Sequence, residues 1–123
     1  MKAGGWSKAP AELVAAFGAA LDEMPAAEQR KMFGYPAAFA NGHLFTGLFE
    51  DQWFVRLPDD ALDELAALGG VTFSPMPGRP MRAYLGMPVE ILGDAGMRRA
   101  WLERAFAFAT SLPPKEKKPR RSR

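Results

Sequence analysis

The sequence holds one histidine, His43, no cysteine, and a crowd of carboxylates at Asp59, Asp60, Asp63 and Glu64. A catalytic histidine needs an acid or base partner placed at hydrogen-bonding distance, and no pattern around His43 supplies one. It directly follows Asn41-Gly42, so it reads as a polar residue at the edge of a turn. Without cysteine there are no disulfides, thiolate nucleophiles or cysteine-containing zinc sites. One histidine and scattered carboxylates match no metal-ligand spacing. The carboxylates follow Pro58, where the first turns of a helix set them against the positive end of its dipole. They lack the separated-pair logic of glycoside hydrolysis. The segment GGVTFSPMPG lacks the Lys-Ser/Thr of a phosphate loop, and no G-x-G-x-x-G follows a strand. No catalytic residue, metal ligand or cofactor is expected.

Two groups of cations remain. Arg79 and Arg82 lie in or beside a proline-stiffened loop, MPGRPMR. Such a loop loses little entropy on binding, and two guanidiniums suit phosphate or carboxylate, so both are candidate anion contacts. The second group is the C-terminal tail. Lys115, Lys117, Lys118, Arg120, Arg121 and Arg123 oppose only Glu116, a net +5. The remaining residues carry ten Lys and Arg against thirteen Asp and Glu, a net −3. The pI of about 9.2 therefore belongs to the tail and not to the body. Those six tail cations are the candidate nucleic-acid contacts.

The elements that position these residues follow from periodicity and punctuation. Residues 10–24 predict an amphipathic helix, with Leu13, Phe17, Leu21 and Met24 on one face and Pro25 ending it. Asn41-Gly42 predicts a hairpin between strands Tyr35–Ala40 and His43–Phe49, because a type I′ turn needs positive φ at both centres. Glu50-Asp51 predicts a second reversal into Gln52–Leu57, although neither residue favours positive φ. Arg30–Gly34 is a further strand or the lead-in to the first. Pro58-Asp59-Asp60 opens a second helix that Gly69-Gly70 ends. Val71–Pro80 is turn-rich, Arg82–Leu85 a short strand, and Pro88–Ile91 an extended lead-in. Asp94 caps a third helix, Ala95 to Leu112, which Pro113-Pro114 terminates. The expected fold is α+β: an antiparallel meander sheet flanked by three helices, one domain over residues 1–112, with a disordered basic tail over 113–123.

Side-chain parity sharpens this. Flanking a two-residue turn, Phe39, Leu44, Thr46 and Leu48 share a side, joined by Trp53, Val55 and Leu57. That side should meet the helices. The other carries His43, Phe45, Phe49, Gln52, Phe54 and Arg56. Phe45, Phe49 and Phe54 among polar residues form a candidate protein interface, whose partner is another protein or a second copy of the chain.

The run MFGYPAAFANGHLFTGLFEDQWFVRL resembles the hallmark of the TfoX/Sxy N-terminal domain family: a Met-Phe-Gly entry, a glycine-turn hairpin and an aromatic-rich third strand. FSPMPGRPMRAYLGMP is similar to that family's second block. The resemblance spans roughly Met24 to Leu112. It implies an α+β domain with helices flanking a sheet. Its best-known members regulate natural competence in bacteria, acting on transcription together with a cyclic-AMP-responsive activator. The family offers no agreed catalytic residues to carry over. The full-length regulators have a second, helical domain where this sequence has a short basic stretch.

These readings converge on a non-enzymatic regulatory or adaptor protein acting through protein–protein contacts. Weak, sequence-tolerant nucleic-acid binding through the tail is the alternative, and an uncharacterised enzyme the third. No apolar run approaches the roughly 18 residues of a membrane span, and no signal-peptide pattern opens the chain, so a cytoplasmic location without membrane contact is expected.

Overall fold

Prolines stand at the entry of three helices in the computed structural model, which describes residues 7–75 and 81–114. Pro10, Pro58 and Pro88 precede α1 (Ala11–Asp22), α2 (Asp59–Ala67) and α3 (Val89–Leu92). Their φ values of −59°, −70° and −72° are those the pyrrolidine ring imposes, and they lead directly into helical backbone. The fourth helix, α4 (Ala95–Ser111), starts as expected from Asp94. The carboxylate Oδ1 accepts a hydrogen bond from the Met97 N–H at 3.1 Å, satisfying one orphan donor of the first turn.

Six strands form one antiparallel sheet: β1 (Glu28–Met32), β2 (Tyr35–Ala40), β3 (His43–Phe49), β4 (Gln52–Arg56), β5 (Val71–Thr72) and β6 (Tyr84–Gly86), in the order β1-β2-β3-β4-β6-β5. The strands β2, β3 and β4 are the meander the turn residues predict, whereas β1 ends at Met32 and the expected run Arg30–Gly34 is broken by a turn at Phe33-Gly34. Asn41-Gly42 has φ of 54° and 80°, and Phe33-Gly34 has 56° and 84°, so both are tight turns with positive φ at both centres. Glu50 adopts φ 55° at the third reversal. Two expectations are corrected. Pro88–Ile91 is not extended: Ile91 and Leu92 N–H both donate to the Pro88 carbonyl, closing a helical turn that buries Ile91. Val71–Thr72, expected within a turn-rich stretch, pairs with Gly86 and Leu85 as an edge strand.

One sheet face carries α1 and α4. Phe17 of α1 meets Trp53 with ring centroids 5.2 Å apart, and Trp101, Leu102, Ala105 and Ala109 of α4 are buried. Among the described residues the polar exception in this core is Thr46, 0% exposed. Its hydroxyl donates to the Phe54 carbonyl at 2.7 Å and accepts from Trp53 Nε1 at 3.0 Å, so both groups are satisfied without water. The Asn41 turn also closes the end of α4. Asn41 Nδ2 donates to the Thr110 carbonyl at 3.1 Å, and His43 Nε2 donates to the Pro113 carbonyl at 2.7 Å. The single histidine thus holds the chain's exit from the last helix. Among the described residues no helix is long and apolar enough to cross a membrane.

Candidate functional site

The second face of the sheet is where the sequence places its unusual mixture, and a one-residue slip decides its composition. Ala38 pairs with Thr46 while Phe39 pairs with Leu44, leaving Phe45 as an extra residue in β3. Such a bulge reverses the parity of everything beyond it. Phe39 and Leu44 therefore leave the helix side, where simple alternation put them, and join the second face. Arg30 lies over the Phe39 ring at 4.6 Å there. Phe45 makes the opposite move and packs edge-on against Phe106 of α4, centroids 5.5 Å apart.

Phe49 and Phe54 do lie on the second face, but the chain covers them itself. The cover is a loop and not a helix. Phe73, just beyond β5, stacks on Phe54 with centroids 4.3 Å apart and planes at 21°. It also meets Phe49 edge-on at 5.8 Å. The Met81 N–H donates to the Phe73 carbonyl at 2.8 Å, which holds these two residues together. Gly47 makes room below: a Cβ there would sit 2.7 Å from Phe54 Cζ. Phe45, Phe49 and Phe54 are all buried, so as free interface residues these three are corrected: internal packing consumes them.

Beside this aromatic stack the described residues line a hollow of about 290 Å³. Tyr35, Leu44, Phe49, Phe54, Phe73 and Met81 line it, and scarcely a polar atom reaches its wall. Phe33 lines it too, yet remains 65% exposed at a turn where its φ is +56°. Met81 is 39% exposed beside it. A second charged residue of the face, Arg56, sits at the far end of β4. There Arg56 lies 5.9 Å from the Tyr84 ring and 5.8 Å from that of Phe108. Burial pushes the Tyr84 phenol up from its ordinary pKa, against the pull of Arg56, and its hydroxyl donates to the Leu44 carbonyl at 3.1 Å. A wider groove between α1 and α4 holds about 480 Å³ but is open, and its Arg99 is already paired with Glu23 and Glu103.

Arg82 is exposed in the turn before β6. Arg79 and the tail cations Lys115, Lys117, Lys118, Arg120, Arg121 and Arg123 lie outside the described residues. Among the described residues no three His, Asp or Glu side chains come together as a metal site. Sequence reasoning missed Phe33, Phe73 and Met81. For Phe33 a signal existed: Phe33-Gly34 separates two strand-like runs by two residues, as Asn41-Gly42 does, but with a phenylalanine where asparagine belongs. For Phe73 and Met81 none existed, because their partners are contributed by distant strands.

A family model described as the TfoX N-terminal domain matches residues 19–109. No curated protein matches the chain.

Proposed function

Because the chain belongs to the TfoX N-terminal domain family, we propose that it is a regulatory or adaptor protein, not an enzyme, acting through protein–protein contacts in the manner of a competence-regulator domain. The observation that carries this reading is Phe33. A phenylalanine in the left-handed region costs roughly 1–2 kcal/mol, and solvent exposure forfeits most of what its burial would return. The same sheet solves the same turn without that cost at Asn41-Gly42. A partly exposed aromatic ring on the rim of an apolar hollow makes a surface suited to an apolar side chain of a protein partner.

Complementation tests this. Deleting the gene in the source cell should change the transcript profile, wild-type protein should restore it, and Phe33→Ser should not, although its level and thermal stability match wild type. An unchanged profile on deletion counts against regulation. Full rescue by Phe33→Ser counts against the hollow.

The second reading concerns nucleic acid. Asn41 and His43 fix the chain at Thr110 and Pro113, immediately before the six tail cations. Displacing counterions at about −0.9 per contact gives a salt slope of up to about −5 on duplex DNA, without sequence preference. Fluorescence anisotropy comparing residues 1–123 with 1–112 across salt tests it. Equal binding by both lengths removes the tail from the account.

A further inference from the structure

We propose that β1 is a self-association edge, through which two copies pair antiparallel with Gln29 facing Gln29 of the second copy. The inference goes beyond the reading of the hollow, which needs no second copy.

Among the described residues the sheet ends on one side at β1, five residues long, and on the other at the two-residue β5. Only β1 is long enough to template another strand. The Phe33-Gly34 turn makes Met32 and Tyr35 its hydrogen-bonded closing pair. Alternation then aims the backbone groups of Arg30 and Glu28 at Ala37 and Phe39 of β2. The N–H and C=O of Gln29 and Lys31 point outward. An open edge of this kind pairs with another strand unless something prevents it.

Charged residues on an edge usually discourage pairing, but their order here selects one register. A two-fold antiparallel pair must centre on one residue, and residues opposite each other share a sheet face. Centring on Arg30 sets Arg30 against Arg30, and centring on Lys31 or Glu28 likewise sets like charges together. Centring on Gln29 places Glu28 opposite Arg30 of the second copy, twice. It also makes Gln29 the hydrogen-bonded pair that its outward backbone groups require. Glu28 and Arg30 already attract one another within the chain, Nε to Oε2 at 2.9 Å, and both side chains are more than half exposed, so the same attraction across two copies needs little desolvation. The result is one continuous sheet with both hollows on the same face.

Sedimentation equilibrium of the full chain, from micromolar to near-millimolar concentration, reads the outcome. The expected mass is twice 13.5 kDa at the upper end. Arg30→Glu and Glu28→Arg should each weaken the dimer about tenfold or more, and the two together should restore it. Gln29→Pro removes an outward donor that the edge strand itself does not need, together with one exposed side-chain bond to Asp22 at 3.2 Å, so it should give a monomer, and Gln29→Ala, which loses only the Asp22 bond, should stay dimeric with the same melting temperature as Gln29→Pro. Wild type that stays monomeric throughout overturns the proposal. So does a dimer that Gln29→Pro or either charge reversal leaves equally tight, since it must form elsewhere.

Discussion

Replacing Thr46 by valine exchanges one hydroxyl for one methyl at a site with no solvent access, which isolates the hydrogen bonds from shape. Two bonds are lost. The Phe54 carbonyl suffers little, because it also faces Gly47 across the β3–β4 ladder. The Trp53 indole N–H is different: Thr46 Oγ1 is its acceptor at 3.0 Å, and Trp53 is 0% exposed. Leaving that donor unsatisfied costs about 1–3 kcal/mol. The new methyl recovers roughly 0.8 kcal/mol by burial. The net loss is therefore about 0.2–2 kcal/mol, or a fall of up to roughly 8 °C in Tm for a chain of this length. Thermal and urea unfolding followed by far-ultraviolet circular dichroism measures it. A cycle with Trp53→Phe isolates the pair, with an expected coupling of about 1 kcal/mol. A Thr46→Val protein as stable as wild type, or a strictly additive cycle, refutes the view that this pair stabilises the core.

Three further outcomes follow from the second face and its rim. Gly47→Ala should destabilise by about 1–3 kcal/mol, since its Cβ lands 2.7 Å from the Phe54 ring, and Phe54→Leu in the same chain should recover part of the loss by chemical denaturation. Phe33→Asn should raise stability by about 0.5–1 kcal/mol in the same assay by relieving a bulky residue at positive φ, while weakening whatever the hollow engages. Stability should decline above about pH 10. The folded state holds the Tyr84 proton more tightly than the unfolded chain, so the stability present below that pH drains away as the unfolded phenol ionises first. Tyr84→Phe should flatten that alkaline slope in urea titrations at stepped pH, and an unchanged slope would assign it to other groups.

Much of this architecture was legible residue by residue. Asn41-Gly42, Pro10, Pro58, Asp94 and the Pro113-Pro114 stop each demand a particular backbone conformation or satisfy a particular orphan group within a few residues. Those demands are local, so they hold whatever surrounds them. They placed the meander, two helix entries through proline and one through a carboxylate. His43 also read correctly as a turn-edge residue, although its bond to the Pro113 carbonyl, 70 positions away, did not.

The second face was a different matter. Parity counting assumed unbroken alternation, and no residue around Phe45 insists on a bulge, since this one uses neither a glycine nor a positive φ. The extra residue is selected by what it achieves in three dimensions: Phe45 reaches Phe106 of α4 and Leu44 reaches the hollow. Phe49 and Phe54 looked available because their cover, Phe73, arrives from beyond two further elements. The sequence by itself determined the turns at Asn41-Gly42 and Glu50-Asp51, the strands they join, and that the last residues are strongly basic. Only the tertiary structure decided which aromatics are spent on the core and that Phe33, at the rim of the hollow, stays 65% exposed. Turns answer to the torsional preferences of two or three residues. Burial answers to surfaces that meet only after the chain has closed on itself.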